Sequence, residues 1–253
     1  MSLMTATASI FDRDMRSKMR TPWPYAEAMA DPLLLLLLFA PLVGAIGPMP
    51  GVPADRTLQW FVPGMLVLMV FTTSAFIGAG FQEERASGAL ERMLVTPVNR
   101  FALLAGRVLR IAATVLVQAV IIVAVTVPFG LQLSVPGAVV AALQLATLAA
   151  GLGLGSLAIG LALKNAYAFW GVASMVYTPI IVTSGALLPM EVAPGWLYAA
   201  SRINPLAHVV DGQRALFRGD LTDPVVLTGF VMALVLCTVG ALVGTRVMRR
   251  LSA

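Results

Sequence analysis

The chain has 253 residues, 59% hydrophobic and 11% charged, with a formal net charge of +5 and a mean hydropathy of +0.90. Soluble domains carry about a quarter charged residues, so this composition excludes an ordinary soluble protein and indicates one whose solvent is lipid. The positive balance needs no nucleic acid, because arginines gather beside membrane spans, and a single Cys237 and a single His208 exclude an internal disulfide and a His/Cys-rich metal site.

Residues 1–24 come first. Phe11, Met15 and Met19 stand four apart, and Asp12, Arg13, Asp14, Arg16, Lys18 and Arg20 fill the remainder. That pattern suits a helix lying on the membrane surface with its basic residues near anionic headgroups; a basic tail without structure is the alternative. Asp31-Pro32 opens the first span. The apolar run Leu33–Ile46 is only 14 residues, short of the roughly 20 needed to cross, so the helix is expected to begin near Tyr25. A secretory signal is not expected, because Pro48, Pro50 and Pro53 crowd the place where cleavage would fall.

Gly47–Gln59 reads as an outer loop and Trp60–Phe81 as the second span. The densest charged island follows, Gln82–Arg107, between two apolar runs. Ala86, Leu90 and Met93/Leu94 recur at helical spacing with Arg85, Glu91 and Arg92 between them, which predicts a short amphipathic helix over 83–95. Thr96 can cap a new helix and Pro97 fits its first position. Such a helix either docks a cytosolic partner or simply connects two spans. The uncharged part of the third span is Ile111–Phe129. A turn at Gln132–Gly137 leads to the fourth, Ala138–Leu163, and Lys164-Asn165 to the fifth, Phe169–Leu188, which contains Pro179. Pro189–Asp223 is of intermediate polarity, and Pro224–Val247 is the sixth span.

Basic residues set the orientation. With the N-terminus inside, 13 of the 17 fall on the cytosolic side and only Arg56, Arg202, Arg214 and Arg218 outside, so both termini are expected in the cytosol. The glycine pairs Gly151/Gly155 and Gly240/Gly244 have the spacing that allows close helix approach.

Several chemistries are absent from the sequence. It contains no Gly-x-x-x-x-Gly-Lys-Ser/Thr phosphate loop, and the centres of the spans carry no Asp, Glu, Lys, Arg or His for a coupling ion. Ser184 and His208 are the only conceivable nucleophile and base, without a nucleophile-elbow motif. No enzyme is expected. Without a nucleotide or ion site of its own, the chain is expected to rely on a separate motor.

Three segments together resemble the membrane subunits of ABC-2-type ABC exporters, particularly the daunorubicin/doxorubicin-resistance permease group. The first runs from Pro63-Gly64-Met65 to Glu83-Glu84-Arg85-x-Ser87-Gly88-x-Leu90-Glu91-Arg92-x-Leu94-Val95-Thr96-Pro97-Val98-x-Arg100, then Gly106-Arg107. The second is Pro189-Met190-Glu191-x-x-Pro194-Gly195-Trp196-Leu197. The third is Asn204-Pro205-Leu206, followed by Asp211 and Arg214. The resemblance implies an all-α integral membrane fold over residues 25–253. It has six transmembrane helices, an N-terminal interfacial helix, a cytosolic coupling helix at 83–95 and an outer re-entrant hairpin at 189–223. It also implies two permease copies with two ATPase subunits. ATP and Mg would sit on the ATPases, and no cofactor or metal on this chain. The setting is a bacterial cytoplasmic (inner) membrane, with lipid around the chain and no nucleic acid.

The expected function is outward movement of an amphipathic drug, antibiotic or lipid. Contacts to the ATPase would come from Glu83, Glu84, Arg85, Leu90, Glu91, Arg92 and Leu94. The substrate path is expected between two copies, near the first, second and fifth spans. Its candidate polar lining is Thr72, Thr73, Ser74, Tyr177, Thr178, Thr183 and Ser184, each of whose hydroxyls has its own helix backbone as the competing partner. Glu191, Asn204, Pro205 and Arg214 mark the outer hairpin. Asp31 either caps the first span or meets a cationic substrate. Two alternatives stand beside this one. A polysaccharide or lipid-linked glycan permease would need aromatic stacking surfaces, of which the candidate faces are short. A non-transporting membrane anchor or sensor would use an ATPase for signalling.

Overall fold

The computed structural model describes residues 29–30, 32–38, 41, 57–86, 100–163 and 165–250. Eight helices carry the described part: α1 (Thr57–Ala75), α2 (Ile77–Ala86), α3 (Arg100–Thr126), α4 (Val135–Ala162), α5 (Ala166–Thr183), α6 (Gly195–Ile203), α7 (Pro205–Arg218) and α8 (Pro224–Arg250). The short pieces at 29–30, 32–38 and 41 are also helical, and no strand occurs among the described residues. The surface helix expected within 1–24, most of the first span, and residues 87–99 of the charged island lie outside the described residues.

Five stretches are long and apolar enough to cross a membrane: Thr57–Gln82, Ala105–Phe129, Val135–Ala162, Ala166–Thr183 and Pro224–Val247. The chain is therefore a multi-pass, all-helical membrane protein. Local chemistry moves several boundaries from their sequence-based positions. The fourth span starts at Val135 because Ser134 caps it, accepting from the Gly137 amide at 3.2 Å, with a proline in the first turn. Asn165 caps the fifth span through Ala168 at 2.8 Å. That span stops at Thr183 and not at Leu188, since the chain turns at Gly185, whose φ of +69° is left-handed. The second span is two helices with a turn at Phe76, where the sequence reads as one unbroken run. Residues 189–223 hold a 3-10 turn at Met190–Val192 followed by α6 and α7.

Helix α4 is the hub, touching α1, α2, α3, α5, α7 and α8. Lipid tails are as apolar as leucine, so helices associate by close packing, and small residues permit it. The glycines of α4 are placed accordingly. A side chain on Gly137 would strike the Leu216 carbonyl of α7. One on Gly151 would come within 2.5 Å of the Cys237 amide nitrogen of α8, and one on Gly160 within 2.7 Å of the Gly78 carbonyl of α2. Gly240 of α8 faces Gly151 in return, with no room for a Cβ. Gly155 has open space where its Cβ would stand and Gly244 has ordinary contact distance there, so only Gly151 and Gly240 of the two expected pairs leave no room for a side chain.

The apolar helix α1 sits within this frame, and every residue from Trp60 to Phe71 is buried. Its membrane window is 72% buried inside the protein, against 6% for α5. Thus α5 turns nearly its whole apolar surface outward, including Tyr167, Trp170, Val172, Met175, Val176 and Val182. Gly240→Val is expected to lower stability by about 1–3 kcal/mol through overpacking. Gly155→Ala should leave it near the wild-type value, and thermal unfolding in detergent distinguishes the two. Equal midpoints for both variants would contradict the packing described.

Candidate transport and coupling sites

Three places in the fold gather the polar side chains. The first is the α6–α7 end. Asn204 is buried between these helices, and its Oδ1 accepts from the Leu206 amide at 2.9 Å, which caps α7 just before Pro205. Its Nδ2 donates to the Ile180 carbonyl at 2.8 Å and to Thr183 Oγ1 at 2.9 Å. The Asn-Pro pair therefore starts one helix and closes the end of another. Arg214, one helix further on, is mostly buried. Its Nε donates to the Trp60 carbonyl at 3.1 Å, its Nη2 to the Gly185 carbonyl at 2.8 Å, and its guanidinium lies 3.8 Å from the centre of the Trp60 ring. Burial draws its pKa down to about 10, while Asp211 and then Glu191 oppose that shift, so it is a cation at neutral pH. Asp211 also pairs with Arg202 at 3.0 Å. Glu191 is exposed in the 3-10 turn.

The second place is the seam between α1 and α5. Tyr177 stacks on Phe71 with ring centres 5.5 Å apart and planes 17° apart, and it leans on Phe76 at 5.5 Å. Phe76 in turn meets Trp170 at 5.0 Å. This four-ring stack joins α1 and α5 through the turn at Phe76. Among the hydroxyls, Thr72 donates to the Met69 carbonyl at 2.9 Å, Thr183 to Pro179 at 2.7 Å, and Ser184 to Ile181 at 2.7 Å, each within its own helical turn. Thr73 instead reaches α3, donating to Gln118 Oε1 at 3.2 Å. Ser74 is fully buried with no partner for its Oγ among the described residues, and Thr178 is exposed. The seven residues predicted for the path do not form one cluster. Thr73 belongs to the α1–α3 contact, Tyr177 to the aromatic seam, and Thr183 and Ser184 to the Asn204 end.

The third place is the end of the second span. Gln82 is buried and its Nε2 donates to the Gly160 carbonyl and, at 2.8 Å, to that of Leu163. Arg107 is buried with its guanidinium 4.7 Å from the centre of the Phe81 ring. Glu83, Glu84 and Arg85 continue the backbone of α2. Their side chains, and the whole of Leu90, Glu91, Arg92 and Leu94, lie outside the described residues.

The ABC-2 type transporter model matches residues 5–217, most of the chain. The chain belongs to the ABC-2 type transporter family. It is 28% identical over 225 residues to the daunorubicin resistance ABC transporter permease protein DrrB1 of Streptomyces coeruleorubidus, covering 85% of this chain and 76% of that one. It is 27% identical over 234 residues to the inner membrane transport permease YadH of Escherichia coli K12, covering 88% of this chain and 87% of that one.

In this ABC-2 permease, the motifs that carry the resemblance sit at packing joints. Gly64 of Pro63-Gly64-Met65 has no room for a side chain, since a Cβ there would lie 2.6 Å from the Ala186 carbonyl. Asp211 and Arg214 follow Asn204-Pro205 because they brace the same joint. A search for Asp, Glu, Lys, Arg and His passes over the amides that join helices, buried at Gln213 and Gln144 and half-buried at Gln59. Gln213 Nε2 donates to Gln144 Oε1 at 2.7 Å and to the Ala141 carbonyl at 3.0 Å, tying α7 to α4. Gln59 donates to the Phe217 carbonyl at 2.6 Å and to that of Gln132, and it accepts from the Gln132 amide. The signal available in the sequence was a neutral amide inside an apolar run, as at Val117-Gln118-Ala119, where an unpaired amide would be costly. Arg214→Lys keeps the charge but loses the fork that reaches two carbonyls. It is expected to cost about 1.5–3 kcal/mol, read as a lower unfolding midpoint of the purified protein with normal membrane insertion.

Proposed function

We propose that this chain is the membrane half of a bacterial ABC exporter that moves an amphipathic drug, antibiotic or lipid outward. ATP and Mg are used by a separate ATPase that docks on the charged island, and a second permease copy completes the path. The observation that carries this reading is family membership across residues 5–217 in a chain without any phosphate-binding loop. The basic-residue bias supports six spans with both termini in the cytosol and residues 189–223 as an outer re-entrant hairpin. The drug-resistance name of the DrrB1 relative supports a small amphipathic substrate. The apolar α5 surface, with partly exposed Thr72 next to Phe71 of the aromatic seam, supports a path between copies lined by α1 and α5. A mostly apolar wall with few hydroxyls binds weakly enough to release its cargo.

The glycan-export reading gains one observation, the stack Phe71, Tyr177, Phe76 and Trp170, since flat ring faces are what sugars pack on. Phe71 is buried and Tyr177 and Phe76 are half-covered, which leaves only Trp170 of the four with an open ring and favours the amphipathic substrate.

The purified chain is expected to hydrolyse no ATP, and to support hydrolysis only once assembled with an ATPase subunit. Robust turnover by the isolated chain, free of contaminants, would remove the permease reading. In the assembled complex, Leu90→Asp should weaken ATPase capture by about 2 kcal/mol or more while leaving membrane levels unchanged, as read by co-purification. Tyr177→Ala should alter the relative export of several dyes without changing ATPase assembly. Identical export profiles at matched membrane levels would take Tyr177 out of the path.

A further inference from the structure

The break in the second span at Phe76 lies between the part of the chain that α4 encloses and the part that runs into the charged island. Backbone groups freed at such a break are costly in lipid unless something satisfies them. Here a side chain from another helix does so. Ser156 of α4 is buried; its Oγ donates to the Ala75 carbonyl on the α1 side and accepts from the Gly78 amide at 2.9 Å on the α2 side. One hydroxyl thus bridges both banks of the turn. The chain adds a short bond of its own there, from the Ala79 amide to the Phe76 carbonyl at 3.1 Å.

The surroundings hold this arrangement in register. Gly78 has no space for a side chain, being pressed against the Ser156 carbonyl and the Phe169 ring. Gly160, one turn along α4, lies equally close to Gly78. Four residues beyond Gly78, Gln82 grips the end of α4 through the carbonyls of Gly160 and Leu163. Three polar contacts and two glycine contacts therefore lock α2 to α4 at the last turns before the island. A bare turn at Phe76 would be a hinge, and a push on the island would be spent bending the span there.

We propose that Ser156, backed by Gln82, is a positioning residue for energy coupling: it splices α1 and α2 onto α4, so that displacement of the island moves the hub as one body. This rests on the reading of the chain as an ATPase-driven permease. Neither residue touches the substrate, and neither is needed for ATP hydrolysis.

Two measurements test it. The full chain with Cys237→Ala, Gly80→Cys and Ile159→Cys takes a spin label on α2 and one on α4, at positions that are both exposed. The wild-type splice should give one narrow inter-label distance in nanodiscs, and Ser156→Ala should broaden it. The complex with its ATPase is then placed in liposomes, with Hoechst 33342 as the probe. Ser156→Ala and Gln82→Ala should each lower dye exported per ATP hydrolysed by about fivefold, the equilibrium effect of one buried hydrogen bond, with the ATPase rate within about twofold of wild type. A variant that is merely unfolded would lose hydrolysis and export together. A narrow, unchanged distance in Ser156→Ala overturns the proposal, as does an unchanged export ratio. The distance measurement needs no ATPase and no dye, so it decides the splice even if no ATPase assembles, an outcome that would instead overturn the permease reading.

Discussion

Backbone groups inside a membrane have no water to turn to, so every place where a helix stops has to be closed by the protein itself. Three such places govern this structure, and each is closed by a side chain from elsewhere. Ser156 fills the turn at Phe76, Asn204 takes the Ile180 carbonyl near the end of α5, and Arg214 takes the carbonyls of Trp60 and Gly185. Each closure also ties together two elements far apart in the chain. The requirement that satisfies the backbone is thus the one that fixes the tertiary arrangement.

Helix α4 can serve as the common partner because its surface is so low. Gly137, Gly151 and Gly160 bring it against α7, α8 and α2 in turn, at distances where any side chain would collide. Dispersion is short-ranged, so these approaches bring many atom pairs into contact where burial from water supplies no force. Buried amides then add direction that apolar packing lacks. Gln144 with Gln213, and Thr73 with Gln118, each fit only one rotation of their two helices.

This division of labour bears on transport. Helices α1, α4, α7 and α8 form a braced body, whereas α5 is attached mainly by its ends and by the ring stack to α1. Under the proposed exporter reading, the braced body is the part suited to move as a unit, and α5 is the part with fewer ties to it. Polar contacts from Asn204 fix the C-terminal end of α5, and the ring stack with Phe71 and Phe76 holds its middle.

By itself the sequence determined the class of protein, because composition and run length follow directly from having lipid as solvent. It placed the spans after the first to within a few residues, marked the charged island, and carried family motifs specific enough for the membrane role. Glycine spacing pointed to α4 and α8, yet it could not say that a side chain is excluded at Gly151 and accommodated at Gly155, since that depends on helix rotation. Only the tertiary structure decided the break at Phe76, the stacking of Tyr177 between Phe71 and Phe76, and the burial of Arg214 in a segment that reads as of intermediate polarity. Each depends on residues from 29 to 154 positions apart, and no local pattern records such a pairing. The candidate path was legible only as a set of hydroxyls. Whether a hydroxyl bonds its own helix, as Thr72 does, or a neighbour, as Thr73 does, is set by what stands opposite it in space.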